Sequence, residues 1–262
     1  MLYLNKKVGL KDGNLISALK DSVELILQYQ NKDGGWASYE KTRAPKWLEK
    51  LNPSRIFGEI MIDYSYTECT SACLQAIHAF YTSADTQIPN FIQEKIKKGL
   101  KFIYSKQTGS GLWYGSWAVC FTYGTWFAVE AITQCEGVFY QKNDSTNCIT
   151  KACDALVACQ NSDGSWGESY LSCVEKKYVP HQEGQVINTA WAVMTLLAAK
   201  YDDKSCIEKA IKFIMNAQLE NGDWPQQAIS GVFNHNCMIS YTNYRNIFPL
   251  WALQRYLSIT ED

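Results

Sequence analysis

No stretch of this 262-residue chain approaches the roughly 18 uninterrupted apolar residues that a membrane-spanning helix requires. Met1 to Leu10 lacks the apolar centre of a secretory signal, so the expectation is a chain that is neither secreted nor transmembrane. Charge of one sign is missing too: 25 Lys and Arg stand against 26 Asp and Glu, and no five like charges run together. A phosphate backbone would find no basic face here, which argues against a nucleic-acid partner. Metal-ligand spacing is also absent, because no Cys-x-x-Cys occurs and His78, His181 and His235 form no paired motif. The ten cysteines therefore read as reduced thiols, most of them small buried hydrophobes. Strand-type alternation is scarce, and the 47% apolar content excludes disorder.

What the chain has in excess is aromatic residues, with 9 Trp, 16 Tyr and 10 Phe making 13% of the sequence. Several of them belong to a repeat. Gln-x-x-x-Gly-x-Trp occurs at Gln30–Trp36, Gln107–Trp113, Gln160–Trp166 and Gln218–Trp224, where chance placement would give about 0.03 copies. Each copy follows a segment with helical apolar spacing: Leu15, Leu19, Val23 and Ile26 after a capping Asn14; Phe91, Ile92, Ile96, Leu100 and Ile103; Ile149, Cys153, Leu156 and Val157; and Ile207, Ile211, Ile214 and Met215. Each Gln thus falls at a helix C-terminus and each Gly in the turn beyond it, where positive φ is wanted. The Gln amide is expected to bond a free helix-end carbonyl and the Trp to cover it, which is a structural role.

Further helices are expected at about 68–82, 122–137, 186–200 and 244–258. Alternating the two sets gives eight helices in four hairpins, an all-α array of α/α solenoid or barrel type. The long loops 37–67, 108–121, 164–185 and 222–243 all leave one end of it. A site would be built there.

Three stretches carry a resemblance: Ile60–Ala72 (IMIDYSYTECTSA), Gly115–Trp126 (GSWAVCFTYGTW), and Gly222–Pro225 with Ile239–Pro249 (ISYTNYRNIFP). With the repeats they are similar to the oxidosqualene cyclases, the sterol and triterpene synthases, from about residue 20 to 257. The resemblance implies that 1–262 is a single C-terminal α/α barrel domain, truncated on its N-terminal side. A closed barrel of the family has about six hairpins, so 14–30 and 244–258, at the ends of a four-hairpin array, should expose apolar side chains. It also implies the chemistry: (3S)-2,3-oxidosqualene is protonated at its epoxide and cyclised through carbocations to lanosterol or cycloartenol. Aromatic walls suit that reaction, since a ring face attracts a cation without bonding it and an apolar cavity excludes water.

Residue by residue, the resemblance makes Tyr39, Trp117, Phe233, Ile239, Tyr241 and Tyr244 cavity positions. It makes Cys69, in Glu68-Cys69-Thr70, the hydrogen-bonding partner of the catalytic acid. Trp191 and Trp251, on helical stripes, read as packing, while Phe121, Tyr123 and Trp126 stay open between wall and packing. The acid itself, an Asp in Asp-Cys-Thr-Ala-Glu, has no counterpart in this sequence, and Asp63 has no claim to that role. The chain alone is therefore expected to be inactive, with the missing upstream part as a partner. No cofactor or metal is implied. The family location is the cytoplasmic side of the endoplasmic reticulum membrane or a lipid droplet, reached through the full-length enzyme. A non-catalytic terpenoid-binding or structural remnant is the alternative, and a protein prenyltransferase β-like subunit a lesser one.

Overall fold

The computed structural model describes residues 13–83, 87–139, 142–234 and 236–260, with the backbone alone at 136–139 and 142–146. Met1–Leu10 and His235 lie outside these residues. The described helices are α1 (Gly13–Gln28), α2 (Thr67–Ser83), α3 (Asn90–Ser105), α4 (Phe121–Phe139), α5 (Lys142–Ala158), a one-turn α6 (Leu171–Glu175), α7 (Val186–Ala198), α8 (Lys204–Asn216) and α9 (Thr242–Thr260). Eight of them are the helices expected from periodicity. Asn14 does not cap α1 as expected but sits inside its first turn.

Two layers result because two kinds of helix alternate. Inner helices α2, α4, α7 and α9 pack side by side in that order. Helix α7 is buried at nearly every position, as a helix flanked on both sides must be. The outer helices α1, α3, α5 and α8 each lie on an inner one. Helices α3 and α8 bury one stripe, Ile92, Ile96, Leu100 and Ile103 in the former and Ile207, Ala210, Ile211 and Ile214 in the latter. The end helices carry exposed apolar side chains: Ile16, Leu25 and Tyr29 at one edge, Ile247, Leu250, Trp251 and Leu257 at the other.

The repeats staple this array. Trp36, Trp113, Trp166 and Trp224 are buried and their indole N–H groups donate to Ile26, Ile103, Leu156 and Ile214, carbonyls near the outer-helix C-termini. Gly34, Gly111, Gly164 and Gly222 all take φ between 84° and 95°. The Gln role differs from expectation. The indole takes the helix-end carbonyl, while Gln30, Gln107 and Gln160 donate both to their own turn and across to the next outer helix. Thr70, Thr125 and Thr189 on the inner helices complete the staple by accepting the backbone N–H of Trp36, Trp113 and Trp166.

The long loops meet one another, and they contain a hairpin the sequence reading missed. Strands β1 (Gly231–Phe233) and β2 (Cys237–Ile239) pair antiparallel. Asn234 at its turn donates to Glu59 O and Gly58 N–H donates to Asn236, joining the first long loop to the last. Two buried carboxylates bind the middle loops. Glu168 accepts from the N–H groups of Cys120, Phe121 and Thr122 and from the Thr122 hydroxyl, capping α4. Glu68 accepts from the N–H groups of Ser116 and Trp117.

Candidate functional site

The concave face of the inner layer is a wall of aromatic rings. Inner helices are apolar on both sides, so the face turned away from the outer layer presents side chains to the hollow. Tyr123, Trp126 and Phe127 of α4 meet Tyr244, Ile247, Phe248 and Trp251 of α9 around a cavity of about 450 Å³, with Ala72 and Gln75 of α2 opposite. Trp126 contacts Phe248 at 5.5 Å and Trp251 at 5.3 Å between centroids, both edge to face, the geometry that ring quadrupoles favour.

Arg255 and Glu130 close the far end. Glu130 is 3% exposed; it pairs with Arg255 and accepts from the Trp126 indole and from Gln134. The Arg255 guanidinium lies 4.8 Å over the Trp251 ring. This one pair therefore orients two tryptophans of the wall.

At the loop end the rings continue. Trp117 meets Tyr66 at 5.3 Å and Phe233 at 5.2 Å, and Phe233 meets Phe57 at 5.5 Å. The Tyr244 hydroxyl lies 3.5 Å from the Trp117 carbonyl oxygen, and Tyr244 stacks on Tyr241 at 5.0 Å. Four of the expected cavity residues thus form two ring pairs, Trp117 with Phe233 and Tyr241 with Tyr244, joined by the bond from the Tyr244 hydroxyl to the Trp117 carbonyl. Ile239 is half-buried at the end of β2. Tyr39 stands apart, its side chain 79% exposed while its N–H donates to Asp63.

Cys69 is half-buried on α2, 3.7 Å from the Ser38 hydroxyl. Burial pushes its thiol up to about 11, helped by the nearby Glu68 and Asp63 charges, so at neutral pH it is an S–H donor. Burial likewise raises Tyr244 to about 12 and Tyr66 and Tyr123 further, keeping these phenols neutral. Asp63 is spent on loop geometry, accepting from the N–H groups of Ser38, Tyr39 and Glu40.

Of the residues left open, Tyr123 and Trp126 line the hollow, whereas Phe121 is fully buried against Tyr114. Trp191 is packing, as expected, at 0% exposure. Trp251 is not: it is 38% exposed and faces the cavity. Phe127 and Arg255 were not singled out from sequence, and Phe248 reads there only as an apolar position of the 244–258 helix. Their signal is position: Phe127 follows Tyr123 and Trp126 on the hollow-facing side of α4, and Phe248 and Arg255 lie one turn on either side of Trp251 on α9. A second cavity of about 710 Å³ lies among the loops, where charged and amide side chains such as Gln30, Asp33, Lys46 and Lys106 alternate with the rings of Tyr64, Tyr66 and Tyr114; it is more polar than the wall on α4 and α9. No three His, Cys, Asp or Glu side chains converge to hold a metal among the described residues.

Residues 2–258 match the squalene-hopene cyclase C-terminal domain. The chain belongs to that family. It is 53% identical over 243 residues to a cycloartenol synthase of Dictyostelium discoideum, covering 92% of this chain and 34% of the relative. Against a lanosterol synthase of Mus musculus it is 47% identical, covering 93% and 33%. This cyclase domain thus spans about a third of the curated relatives' length. Among solved structures, an ent-copalyl diphosphate synthase from Streptomyces platensis superposes with a TM-score of 0.60 at 15% identity, over 90% of this chain and 37% of that one. That likeness shows the α/α fold alone.

Proposed function

We propose that this domain forms one wall of an oxidosqualene cyclase cavity, in which (3S)-2,3-oxidosqualene is cyclised to a lanosterol- or cycloartenol-type sterol precursor. The observation that carries the reading is the ring wall around the 450 Å³ hollow. Apart from Gln75 and the Arg255–Glu130 pair at its far end the wall is apolar, and its phenols are held in their protonated form.

In the reaction, an acid gives its proton to the epoxide oxygen, the C–O bond opens with its electron pair going to oxygen, and successive alkenes attack the resulting cation. The chain's residues serve three parts of this. The Cys69 S–H donates a hydrogen bond to the carboxyl of an acid supplied from outside the chain, stabilising the carboxylate left behind. The rings of Trp117, Phe233, Tyr244, Trp126 and Phe248 face the migrating charge. Glu68 holds the backbone at Trp117 by accepting from the N–H groups of Ser116 and Trp117, and Tyr241 and Ile239 support Tyr244 and the hairpin. Tyr39 joins the cavity when the rest of the enzyme covers it. The chain alone is inactive, because no residue here takes the acid's place. No helix among the described residues is long and apolar enough to cross a membrane; attachment to the endoplasmic reticulum or a lipid droplet belongs to the rest of the enzyme.

The test replaces the matching third of the Dictyostelium relative with this chain and supplies oxidosqualene. A tetracyclic sterol alcohol by mass spectrometry is expected from the fusion and none from the chain alone. A well-folded fusion that makes no product would refute the reading in favour of a non-catalytic remnant.

A further inference from the structure

We infer that the Glu130–Arg255 pair is a positioning device for the cyclisation, making Trp126, and not Trp251, the ring that meets the migrating cation at the far end of the hollow. The inference deepens the cyclase reading and rests on it.

An ion pair is an unexpected lining for such a space. Buried charges are often no more stabilising than well-packed apolar side chains of the same volume, and every other wall residue on α4 and α9 is apolar or aromatic. Stability is therefore a weak reason for the pair. Its bonds suggest another. Glu130 Oε1 accepts from the Arg255 guanidinium and from the Trp126 indole N–H at 3.2 Å, and Oε2 accepts from Gln134 at 3.0 Å. Gln134 also donates to Gln75 Oε1 on α2 at 3.3 Å. The network thus ties together α2, α4 and α9, the three helices around the hollow, and Arg255 supplies the countercharge that lets the carboxylate stay buried.

The two tryptophans are treated in opposite ways. Trp126 gives its N–H to a carboxylate, which draws the proton outward and leaves more electron density on the indole. The face of a richer ring attracts a cation more strongly. Trp251 has the Arg255 guanidinium 4.8 Å over its ring, so that face already holds one cation and repels a second. Trp126 is also the fixed ring of the two: it is 5% exposed against 38% for Trp251, and it is held by the N–H bond as well as by edge-to-face contact with Phe248 and Trp251. A group fixed in advance needs no reorganisation as charge develops. The pair also acts late. Glu68 on α2 bonds the Ser116 and Trp117 N–H groups just before α4, so α4 starts at the Cys69 end. Glu130 stands seven residues beyond Tyr123, about 10 Å further along the helix.

A cation that is not held sheds a neighbouring C–H proton to water; the C–H electron pair closes an alkene, and the later rings do not form. The test uses the fusion with the upstream part of the Dictyostelium relative. Against the wild-type fusion, Glu130→Gln should raise the ratio of mono-, bi- and tricyclic to tetracyclic alcohols about fivefold, with KM unchanged. Trp126→Phe should do the same, and combining the two should add nothing, because the carboxylate works through the indole N–H. Glu130→Gln with Arg255→Met strands no charge and carries the same expectation if the single variant does not fold. In the ¹⁵N-labelled chain, the Trp126 indole N–H resonance, assigned by its loss in Trp126→Phe, should move upfield in Glu130→Gln. A merely structural pair would lower melting and turnover and leave the product ratio alone. An unchanged ratio in a folded, active variant overturns the inference, as does an additive double variant or an indole resonance that stays in place. A wild-type fusion that makes no sterol brings down the catalytic reading itself, and this inference with it.

Discussion

Glu168→Gln keeps the shape of a buried side chain and reverses half of its hydrogen-bonding sense, which makes it a sharp probe of how the loops are held. The wild-type carboxylate is 0% exposed and receives four donors: Cys120 N–H at 3.2 Å, Phe121 N–H at 2.9 Å, Thr122 N–H at 3.0 Å and the Thr122 hydroxyl at 2.9 Å. Three of these are N-terminal amides of α4 without an intrahelical partner. A Gln oxygen can serve one side of this nest, but its NH₂ would face a second set of donors. Leaving one or two buried N–H groups unpaired costs about 1–3 kcal/mol each, and loss of a helix cap is worth about 0.5–2 kcal/mol. Relief from burying a charge offsets part of this. The net expectation is a loss of about 3 kcal/mol, or a melting temperature roughly 6–12 °C lower in a chain of this size. Urea unfolding followed by circular dichroism measures it, with an unchanged m-value showing that the native state is the one perturbed. A Gln variant within about 0.5 kcal/mol of wild type, the range of ordinary surface changes, would show that the four donors do not depend on the carboxylate.

Four further outcomes are expected. Trp166→Phe should cost about 1–1.5 kcal/mol more than Trp191→Phe: both indoles are fully buried, but only Trp166 donates its N–H, to Leu156 O at 2.6 Å, while the Trp191 N–H has no partner. Equal losses on denaturant titration would discredit the staple. Gly111→Ala should be worse than Gly222→Ala by more than about 1 kcal/mol, since both have positive φ but only the former drives a Cβ to within 2.8 Å of a backbone oxygen. Alkylation of Cys69, followed by peptide mapping, should climb about tenfold per pH unit between pH 8 and 10, because a thiol raised to about 11 is still gaining thiolate in proportion there; a plateau near pH 9 would contradict its burial. Arg255→Met should destabilise by about 3 kcal/mol through a stranded Glu130, and adding Glu130→Gln should recover much of it. A double variant worse than the single would show that the two groups do not act as a pair.

The eight long helices were legible because both kinds of helix leave a periodic trace. The repeats marked where the outer ones end: observed boundaries such as Thr67–Ser83 and Phe121–Phe139 fall within two residues of the expected 68–82 and 122–137. What escaped depends on distant partners. The hairpin at 231–239 has three residues per strand, too few for an alternation signal, and it leans on Ala118 and on the Val119 N–H donated to Ser230 O. Glu68 and Glu168 look in the sequence like any surface carboxylate; only the fold brings the loop amides of Ser116 and Trp117 to the one and the helix-start amides of α4 to the other. The Thr residues that receive the Trp N–H groups have a similar history, since their spacing from each repeat varies with loop length.

The candidate site shows a deeper limit. A side chain facing the hollow and one facing the core both give an apolar position on a helical stripe, so periodicity places Trp191 and Trp251 in one class. The structure separates them by what covers each: the rings of Tyr123, Tyr244 and Phe248 enclose Trp191 behind the wall, whereas Trp251 borders the open concave space. Inner helices of such an array are apolar all round for two unrelated reasons, packing and chemistry. The same ambiguity recurs at the array's edges, where the exposure of Ile16, Leu25, Met215 and Leu219 would read as a defect in a closed fold. At the Gln218 edge the repeat keeps Gln218 and Gly222, the residue types that meet a neighbouring helix at the three other junctions, while no described residue stands within 4 Å of where a Gly222 Cβ would be.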